Sequence, residues 1–434
     1  MVALVPLFLC VGTTLAFPFH IRRQAESAPF RWATIGDSWA SSVAYSDSVT
    51  FDGNKDKCLR SKESYTYQME QDSSWQSDTS ELRIAACSGA RLVDMALGQK
   101  QVEKTGEPRI LLITAGGNDA GFAAVARDCI YQPQRDVDYQ GEYPAPGLCR
   151  SAIEKASGII DGLGEALQIT YADIFKYYEG QPSDLNVYHT GYAHFFNTNS
   201  NWCNEKSFGA IPFRSANPKL SPELRTAMND LVEKMNRQLE NSVASFQSKL
   251  PVSQNKLVRR QKDLSDTGPV IPDPKEDTPP PAPEQPFQPP IEPVRAKRSL
   301  GFIDITRAFD GHRFCEDDSS FWKQYYGDST WFWNLRAQLS RDEGGAETDD
   351  VPPLSDDEVS QLDQSGMSSG GGGGNEVGNG WRFRPFHPTQ SGNTAVKSII
   401  VERLRADGVP GVESIGSVVG GAIAGILSSG GKGA

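Results

Sequence analysis

Five short runs of apolar and β-branched residues recur along the chain, and helix-like segments separate them. Runs of this kind, ended by glycine or by polar residues, are typical of strands buried inside a sheet. Alternation of strands with helices predicts a parallel sheet with right-handed crossovers. The predicted strands cover residues 31–35, 82–86, 109–115, 185–192 and 300–305.

The segments between these runs have helical patterns. The longest, residues 220–249, opens with Ser221 and Pro222; serine can cap a helix, and proline fits its first turn. Further helices are predicted over residues 39–49, 64–71, 92–103, 119–129, 153–178 and 393–405.

Two stretches have compositions that cannot bury a core. Residues 251–298 are dense in Pro, Glu, Asp and Lys, and residues 340–379 are acidic and then glycine-rich. We predict that both are disordered insertions in one domain over residues 30–408, followed by a glycine-rich tail over residues 409–434. Basic candidate processing sites flank the first insertion at residues 259–260 and 295–298.

Residues 1–16 are typical of a secretory signal peptide, because they are mostly apolar and end in small residues up to Ala16. The segment is too short to span a membrane as a helix. We predict cleavage after Ala16 and secretion of the mature protein. The arginine pair at residues 22–23 would then end a pro-segment within residues 17–29, or it is an unprocessed basic pair.

Composition argues against a nucleic-acid-binding protein and indicates disulfide bonds. The net charge of −12 and the pI of about 5.1 argue against a nucleic-acid-binding surface. One of the seven cysteines, Cys10, lies in the predicted signal peptide. The even number left behind a secretory signal indicates disulfides, although the sequence alone does not decide how they pair. Cysteine and histidine spacings show no zinc-binding pattern.

The first predicted strand stops at Gly36-Asp37-Ser38. Glycine permits a sharp turn there, and a serine at the carboxyl end of a parallel strand lies where such sheets bind ligands. Ser38 is therefore a candidate nucleophile. Alternatively, Asp37 or Ser38 only caps the next helix.

Three distant segments favour the interpretation of Ser38 as a nucleophile. Gly89 follows the second predicted strand, the glycine-glycine-asparagine-aspartate run at 116–119 follows the third, and His387 lies in the segment 384–389 ahead of a helix. Together with residues 36–38 they resemble the four blocks of the SGNH (GDSL-type) hydrolase family, in the family's order along the chain.

The resemblance implies a hydrolase of carboxylic esters in which Ser38 is the nucleophile and His387 the general base. It implies an oxyanion hole formed by the backbone N–H groups of Ser38 and Gly89 and by the side-chain amide of Asn118. Each role has a structural alternative, since Gly89 and Asn118 can be plain turn residues. We interpret Asp119 as a structural residue.

The chain departs from the family at one position. Members usually carry an aspartate three residues before the histidine, whereas Arg384 stands there in this sequence. In some secreted members a main-chain carbonyl at that position orients the histidine, which gives a Ser–His dyad. We therefore expect the carbonyl of Arg384 to orient His387. The alternative is a carboxylate from elsewhere: Asp304, Asp310 or Asp317.

The resemblance also implies the architecture, a three-layer α/β/α sandwich around a five-stranded parallel sheet of the flavodoxin-like kind. Secreted members with three disulfides pair their cysteines consecutively, which implies Cys58–Cys87, Cys129–Cys149 and Cys203–Cys315.

We thus expect a secreted, monomeric esterase or lipase that needs no cofactor or metal and has no nucleic-acid partner and no transmembrane span. Its substrate would be a small-molecule or polymer-borne ester. Carbohydrate O-acyl esters, plant-polymer esters and lipids all stay open. Two other function classes also stay open: a non-catalytic binding protein of this fold, and an acyltransferase that uses the same dyad.

Overall fold

The computed structural model describes most of the predicted domain. It covers residues 29–44, 49–53, 56–76, 80–131, 147–206, 219–250, 296–317, 329–333 and 386–412. The predicted signal peptide, the pro-segment up to residue 28, the insertion at 340–379 and the tail from residue 413 lie outside the described residues, as does the first insertion up to residue 295.

A five-stranded parallel sheet forms the centre of the fold and confirms the predicted class. Its strands are β1 (Phe30–Gly36), β2 (Ser80–Ile84), β3 (Ile110–Thr114), β4 (Leu185–Thr190) and β5 (Arg298–Ile303). They are hydrogen-bonded in the order β2-β1-β3-β4-β5. Every residue of β3 and β4 is buried, as expected where helices cover both faces of a parallel sheet.

Helices cover the two faces of the sheet. In chain order they are α1 (Ser38–Ser41), α2 (Tyr65–Glu70), α3 (Leu92–Ala96), α4 (Phe122–Ala126), α5 (Leu148–Tyr177), α6 (Pro222–Gln247) and α7 (Gln390–Ala406). On one face α5 packs between α3 and α6, and α2 packs against α7 away from them. This arrangement is the predicted three-layer sandwich.

Two helices are shorter than predicted, because the chain adopts a left-handed backbone inside each predicted segment. Ser42 has φ 61°, so the helix predicted over 39–49 is only the single turn α1. Lys100 has φ 53°, which separates α3 from a short 3₁₀ turn at Gln101–Lys104 within the helix predicted over 92–103. A right-handed helix cannot continue through such a residue.

The predicted boundary of the first insertion at residue 298 is wrong, because β5 begins at Arg298. The Arg298 guanidinium donates to the carbonyls of Tyr178 at 3.0 Å, Gln181 at 2.7 Å and Ser183 at 2.8 Å. The carbonyl of Lys297, directly before Arg298, accepts from the N–H of Leu185 on β4 at 3.0 Å. A cut directly after Arg298 would therefore fall inside a paired strand.

The structure contains three disulfides, and they are the pairs implied by the family resemblance: Cys58–Cys87, Cys129–Cys149 and Cys203–Cys315. The last of them joins the segment after β4 to the segment after β5, so it links the two sides of the first insertion. Among the described helices, none is both long and apolar enough to cross a bilayer.

His189 is a buried histidine at the carboxyl end of β4. Its Nε2 donates to the carbonyl of Ala115 at 3.1 Å, and its Nδ1 accepts from the hydroxyl of Tyr171 at 2.8 Å. This pattern suits a neutral ring. Burial lowers the pKa of His189 from 6.5 to about 4, because the charged form loses its hydration.

The shifted pKa of His189 predicts a pH-dependent stability. Below pH 6.5 the unfolded chain binds a proton on this ring, whereas the folded protein does not until about pH 4. Stability contributed by the neutral ring is therefore present above pH 6.5 and is lost as the pH falls through this window. Urea unfolding should show the advantage of wild type over His189→Gln shrinking by up to about 3 kcal/mol between pH 7 and pH 4. A difference that stays constant would contradict the assignment.

Candidate active site

The predicted site residues follow the first three strands at the carboxyl edge of the sheet. β1 has β2 on one side and β3 on the other, so the connections leaving β1 and β3 diverge there. A crevice at such a switch point is the usual ligand site of open parallel sheets. Ser38 follows β1, Gly89 follows β2, and Asn118 follows β3.

The turn that presents Ser38 requires glycine at position 36. Gly36 has φ 137°, and a Cβ there would lie 2.1 Å from the carbonyl oxygen of Thr114 on β3. The N–H of Asp37 donates to that same oxygen at 2.8 Å. Asp37 caps α1, which confirms the cap interpretation of this motif and leaves the hydroxyl of Ser38 available for the predicted role. Ser38 is the first residue of α1 and is half-buried.

His387 lies directly against Ser38. Its Nε2 is 2.7 Å from Ser38 Oγ, although 349 positions separate the two residues in the chain. The N–H of Trp333 donates to the carbonyl of His387 at 3.0 Å, which holds the backbone of this segment. A serine hydroxyl in contact with an imidazole is the arrangement that activates a nucleophilic serine.

The residue before the histidine is strained and firmly anchored. Phe386 has φ 70°, a conformation that is an outlier for a bulky residue. Its ring is 1% exposed and packs in a cluster of phenylalanines. The ring centroids of Phe122, Phe195, Phe196 and Phe314 lie between 5.0 and 6.0 Å from it. Burial of the ring holds a backbone conformation that is unfavourable on its own.

Asn393 joins three segments behind the site. Its Nδ2 donates to the hydroxyl of Ser42 at 2.6 Å and to the carbonyl of Thr389 at 3.0 Å, and its Oδ1 accepts from the N–H of Tyr65 at 3.2 Å. The side chain is fully buried. Since Ser42 is the C-cap of α1 and Thr389 caps the helix after His387, one amide links the segments that carry Ser38 and His387.

The loop after β2 is bonded to the turn that carries Ser38. Gly89 has φ 79° and follows the Cys58–Cys87 disulfide. The N–H of Ser88 donates to the carbonyl of Cys58 at 3.1 Å, and the N–H of Cys87 donates to the carbonyl of Gly36 at 3.0 Å. The disulfide and these bonds hold Gly89 close to the end of β1.

Asn118 is linked to the same loop, because its Nδ2 donates to the carbonyl of Ala90 at 2.9 Å. A side-chain amide carries two hydrogens, so one remains for a ligand. Within the described part of the chain, the backbone N–H groups of Ser38 and Gly89 have no hydrogen-bond acceptor. These three donors follow neighbouring strands at one edge of the sheet.

Two carboxyl groups lie beside the site, Asp37 buried and Asp119 half-buried. Asp37 accepts from the N–H of Trp39 at 2.9 Å and from the hydroxyl of Tyr192 at 2.7 Å, and burial raises its pKa to about 7. Asp119 accepts from the N–H of Leu92 at 3.0 Å, and burial raises its pKa to about 6. The bond from Asp119 to the start of α3 fits the structural role predicted for it.

The residue predicted to orient the histidine, Arg384, lies outside the described residues. Two of the alternative carboxylates bond to other side chains. Asp304 accepts from the N–H and the hydroxyl of Thr306, and Asp310 pairs with two arginines. Asp317 is exposed.

The other described histidines occupy other places. His189 lies in the core, His194 Nε2 is 3.3 Å from Glu233, and His312 stacks on Trp331 with ring centroids 3.7 Å apart. Across the described ranges, no cluster of His, Cys, Asp and Glu has an arrangement that could hold a metal ion.

Sequence reasoning missed three residues that hold the site: Tyr192, Phe386 and Asn393. Each acts through a partner far away in the chain, so no local pattern marks it. The only local signal is that Phe386 directly precedes the histidine.

Comparisons with known proteins give similarity to bacterial lipases. The chain is 29% identical over 196 residues to a lipase of Streptomyces rimosus, covering 43% of this chain and 64% of the relative. It is 27% identical over 157 residues to Lipase 1 of Streptomyces coelicolor, covering 36% of this chain and 50% of the relative. The chain thus matches from half to just under two thirds of the length of these relatives. No protein-family model matches it.

Among solved structures, the chain is similar to an extracellular lipase from Streptomyces rimosus, with 18% sequence identity and a TM-score of 0.46. The match covers 87% of this chain and 99% of that one. Phospholipase A1 from Streptomyces albidoflavus NA297 has 18% identity and a TM-score of 0.47, with the same coverage.

The bonds of Asn393 predict a measurable loss of stability. Asn393→Ala removes a buried amide and leaves the hydroxyl of Ser42 and the N–H of Tyr65 without this partner. We expect the free energy of unfolding to fall by about 1–3 kcal/mol, measured in urea. The exposed Gln390→Ala on the same helix is the matched control and should unfold like wild type. Equal stability of the two variants would show that the amide does not hold these segments.

Proposed function

We propose that the protein is a secreted serine esterase or lipase that hydrolyses carboxylic esters through Ser38 and His387. The observation that carries the proposal is the 2.7 Å contact between Ser38 Oγ and His387 Nε2. Similarity to two curated Streptomyces lipases supports an ester substrate. The three disulfides fit an oxidising compartment and therefore secretion.

In the proposed reaction, His387 takes the proton of Ser38 as the hydroxyl oxygen attacks the ester carbonyl. The tetrahedral intermediate collapses when the imidazolium returns that proton to the leaving alcohol. Water then attacks the acyl-serine with His387 again as the base, which releases the acid and restores the serine. No metal or cofactor takes part in this scheme.

The oxyanion would be held by the N–H groups of Ser38 and Gly89 and by the amide of Asn118. Donors that are fixed before the reaction stabilise developing charge without reorganisation, and one such donor is typically worth about 3 kcal/mol. The bond from Asn118 to Ala90 supports this role, because it fixes the amide against the loop that carries Gly89.

His387 would be oriented by the main-chain carbonyl of Arg384, which makes the pair a dyad. The bonds of Asp304 and Asp310 to other residues support this proposal, since both carboxylates already have partners. In such a dyad the carbonyl accepts from the second ring N–H of His387 and so fixes the tautomer and the orientation of the ring.

For the substrate, we propose an ester with an apolar acyl group. Phe122 lies four residues after Asn118, is only partly buried, and packs edge-on against Phe386 with ring centroids 5.6 Å apart. It therefore adds apolar surface beside the residue that precedes His387, which favours an acyl chain over a sugar.

The proposal predicts that Ser38→Ala lowers kcat for p-nitrophenyl esters by about a thousandfold or more, because the nucleophile is lost. His387→Ala should behave in the same way. Ser151→Ala, on the exposed face of α5, is the matched control and should retain wild-type activity. Comparing short with long acyl chains divides esterase from lipase.

Activity of Ser38→Ala equal to wild type would exclude the mechanism. A folded wild type that hydrolyses none of these esters would favour a binding protein. Turnover only after addition of an alcohol acceptor would favour an acyltransferase.

The dyad makes a separate prediction. Asp304→Asn, Asp310→Asn and Asp317→Asn should each leave kcat within about threefold of wild type. If one of these carboxylates completed a triad, its change to asparagine would lower kcat by about 10⁴-fold. Equal circular dichroism spectra serve as the folding control, and one large loss among the three variants would identify a triad.

A further inference from the structure

A single hydroxyl connects the turn of the nucleophile to the turn of the asparagine. Tyr192 lies just beyond β4, and its hydroxyl accepts from the N–H of Gly117 at 2.9 Å while it donates to Asp37 Oδ2 at 2.7 Å. The other oxygen of Asp37 accepts from the N–H of Trp39 at 2.9 Å. These bonds span the crevice beneath the site, from the residue before Asn118 to the residues on either side of Ser38.

The tyrosine is itself held rigidly. Its backbone N–H donates to Asn236 Oδ1 at 2.8 Å, and Asn236 Nδ2 donates back to the Tyr192 carbonyl at 2.7 Å. Its ring packs edge-on against Trp39 with centroids 5.4 Å apart. Tyr192 is 6% exposed and Asp37 is 2% exposed. Because the atoms of Tyr192 have no room to move, its hydroxyl holds Asp37 and Gly117 at fixed positions relative to each other.

The hydroxyl of Tyr192 also stabilises the negative charge of Asp37. Both carboxylate oxygens accept hydrogen bonds, and this stabilises the ionised form that burial and the nearby Asp119 disfavour. Removal of the tyrosine oxygen would leave one carboxylate oxygen of Asp37 and the N–H of Gly117 without this partner. Both groups would then shift towards other partners, and the two turns would move independently.

We propose that Tyr192 is a positioning residue that fixes Ser38 relative to the oxyanion donor Asn118 through its bonds to Asp37 and Gly117. The inference rests on the proposed function. It adds a residue that follows the fourth strand to a site whose other predicted members follow the first three strands or precede the last helix.

The test is Tyr192→Phe, which removes one oxygen and keeps the ring against Trp39. We expect kcat for a p-nitrophenyl ester to fall about 10- to 100-fold with KM within about threefold, because misplaced donors affect the transition state more than binding. Tyr178→Phe is the matched control. Its buried hydroxyl contacts Thr105 near the opposite edge of the sheet, and kcat should stay at the wild-type value.

A double-mutant cycle separates positioning from a general structural effect. If Tyr192 acts through the placement of Asn118, then in an Asn118→Ala background Tyr192→Phe should lower kcat by less than about threefold. If the two losses multiply as independent factors, the proposal is overturned.

Asp37→Asn gives a second test that does not depend on how well Tyr192→Phe folds. The asparagine oxygen can still cap α1, while its amide cannot accept from the tyrosine hydroxyl. We expect the same fall in kcat at unchanged KM, and wild-type kcat in this variant would also overturn the proposal. A wild type that hydrolyses no ester would instead refute the proposed function, so the two failures are distinguishable.

Discussion

The contact between Ser38 and His387 depends on bringing residue 387 back to the first strand across almost the whole described chain. Buried groups beside the two residues enforce this closure through partners far away in the chain. They are the ring of Phe386, which packs among other phenylalanines, and the amide of Asn393, which bonds to Ser42 and Thr389. Because a rotation about the backbone of Phe386 would move the imidazole away, the packing of Phe386 fixes the distance between Ser38 Oγ and His387 Nε2. The positive φ of that residue is the strain that this packing maintains.

Loops after parallel strands usually move more than the strands themselves, yet the loops of this site are cross-linked. The loop after β2 bonds to the end of β1 and carries a disulfide, and Asn118 after β3 bonds to that same loop. Tyr192, which follows β4, joins the turn after β3 to the turn after β1 through its bonds to Gly117 and Asp37. Each link is a single hydrogen bond or a covalent bridge, and together they restrict the movement of these loops. In the proposed reaction, donors that are fixed in this way need no reorganisation when the transition state forms.

The sequence predicts the sheet well because buried parallel strands are continuous apolar runs that end in glycine or polar residues. Gly36 marks the predicted turn, and the structure explains the glycine, since a side chain there would collide with the carbonyl of Thr114 on β3. Prediction failed where a single backbone angle decides the outcome: Ser42 lies in a segment predicted as helix and yet ends α1, and Lys100 begins a separate 3₁₀ turn after α3. It also failed for Tyr192 and Asn393, whose roles come from partners that only the folded chain brings near. Composition places Arg298 in the first insertion, although it begins β5 and three carbonyls accept from its guanidinium.

The buried carboxyl of Asp37 shows what this arrangement costs the fold. Its folded pKa of about 7 exceeds the usual 3.8, so the stability it contributes is present below pH 3.8 and is lost as the pH rises through about 7. The full shift corresponds to about 4 kcal/mol, a large fraction of the stability of an ordinary domain. A neutral residue could cap α1 without this loss, since Ser, Thr and Asn are good helix caps. A capping role alone therefore does not account for an aspartate here. The hydroxyl of Tyr192 and the N–H of Trp39 are both donors aimed at one side chain, and only a carboxylate accepts at both ends while holding no hydrogen of its own. The aspartate is best explained as the acceptor that fixes the tyrosine to the nucleophile turn.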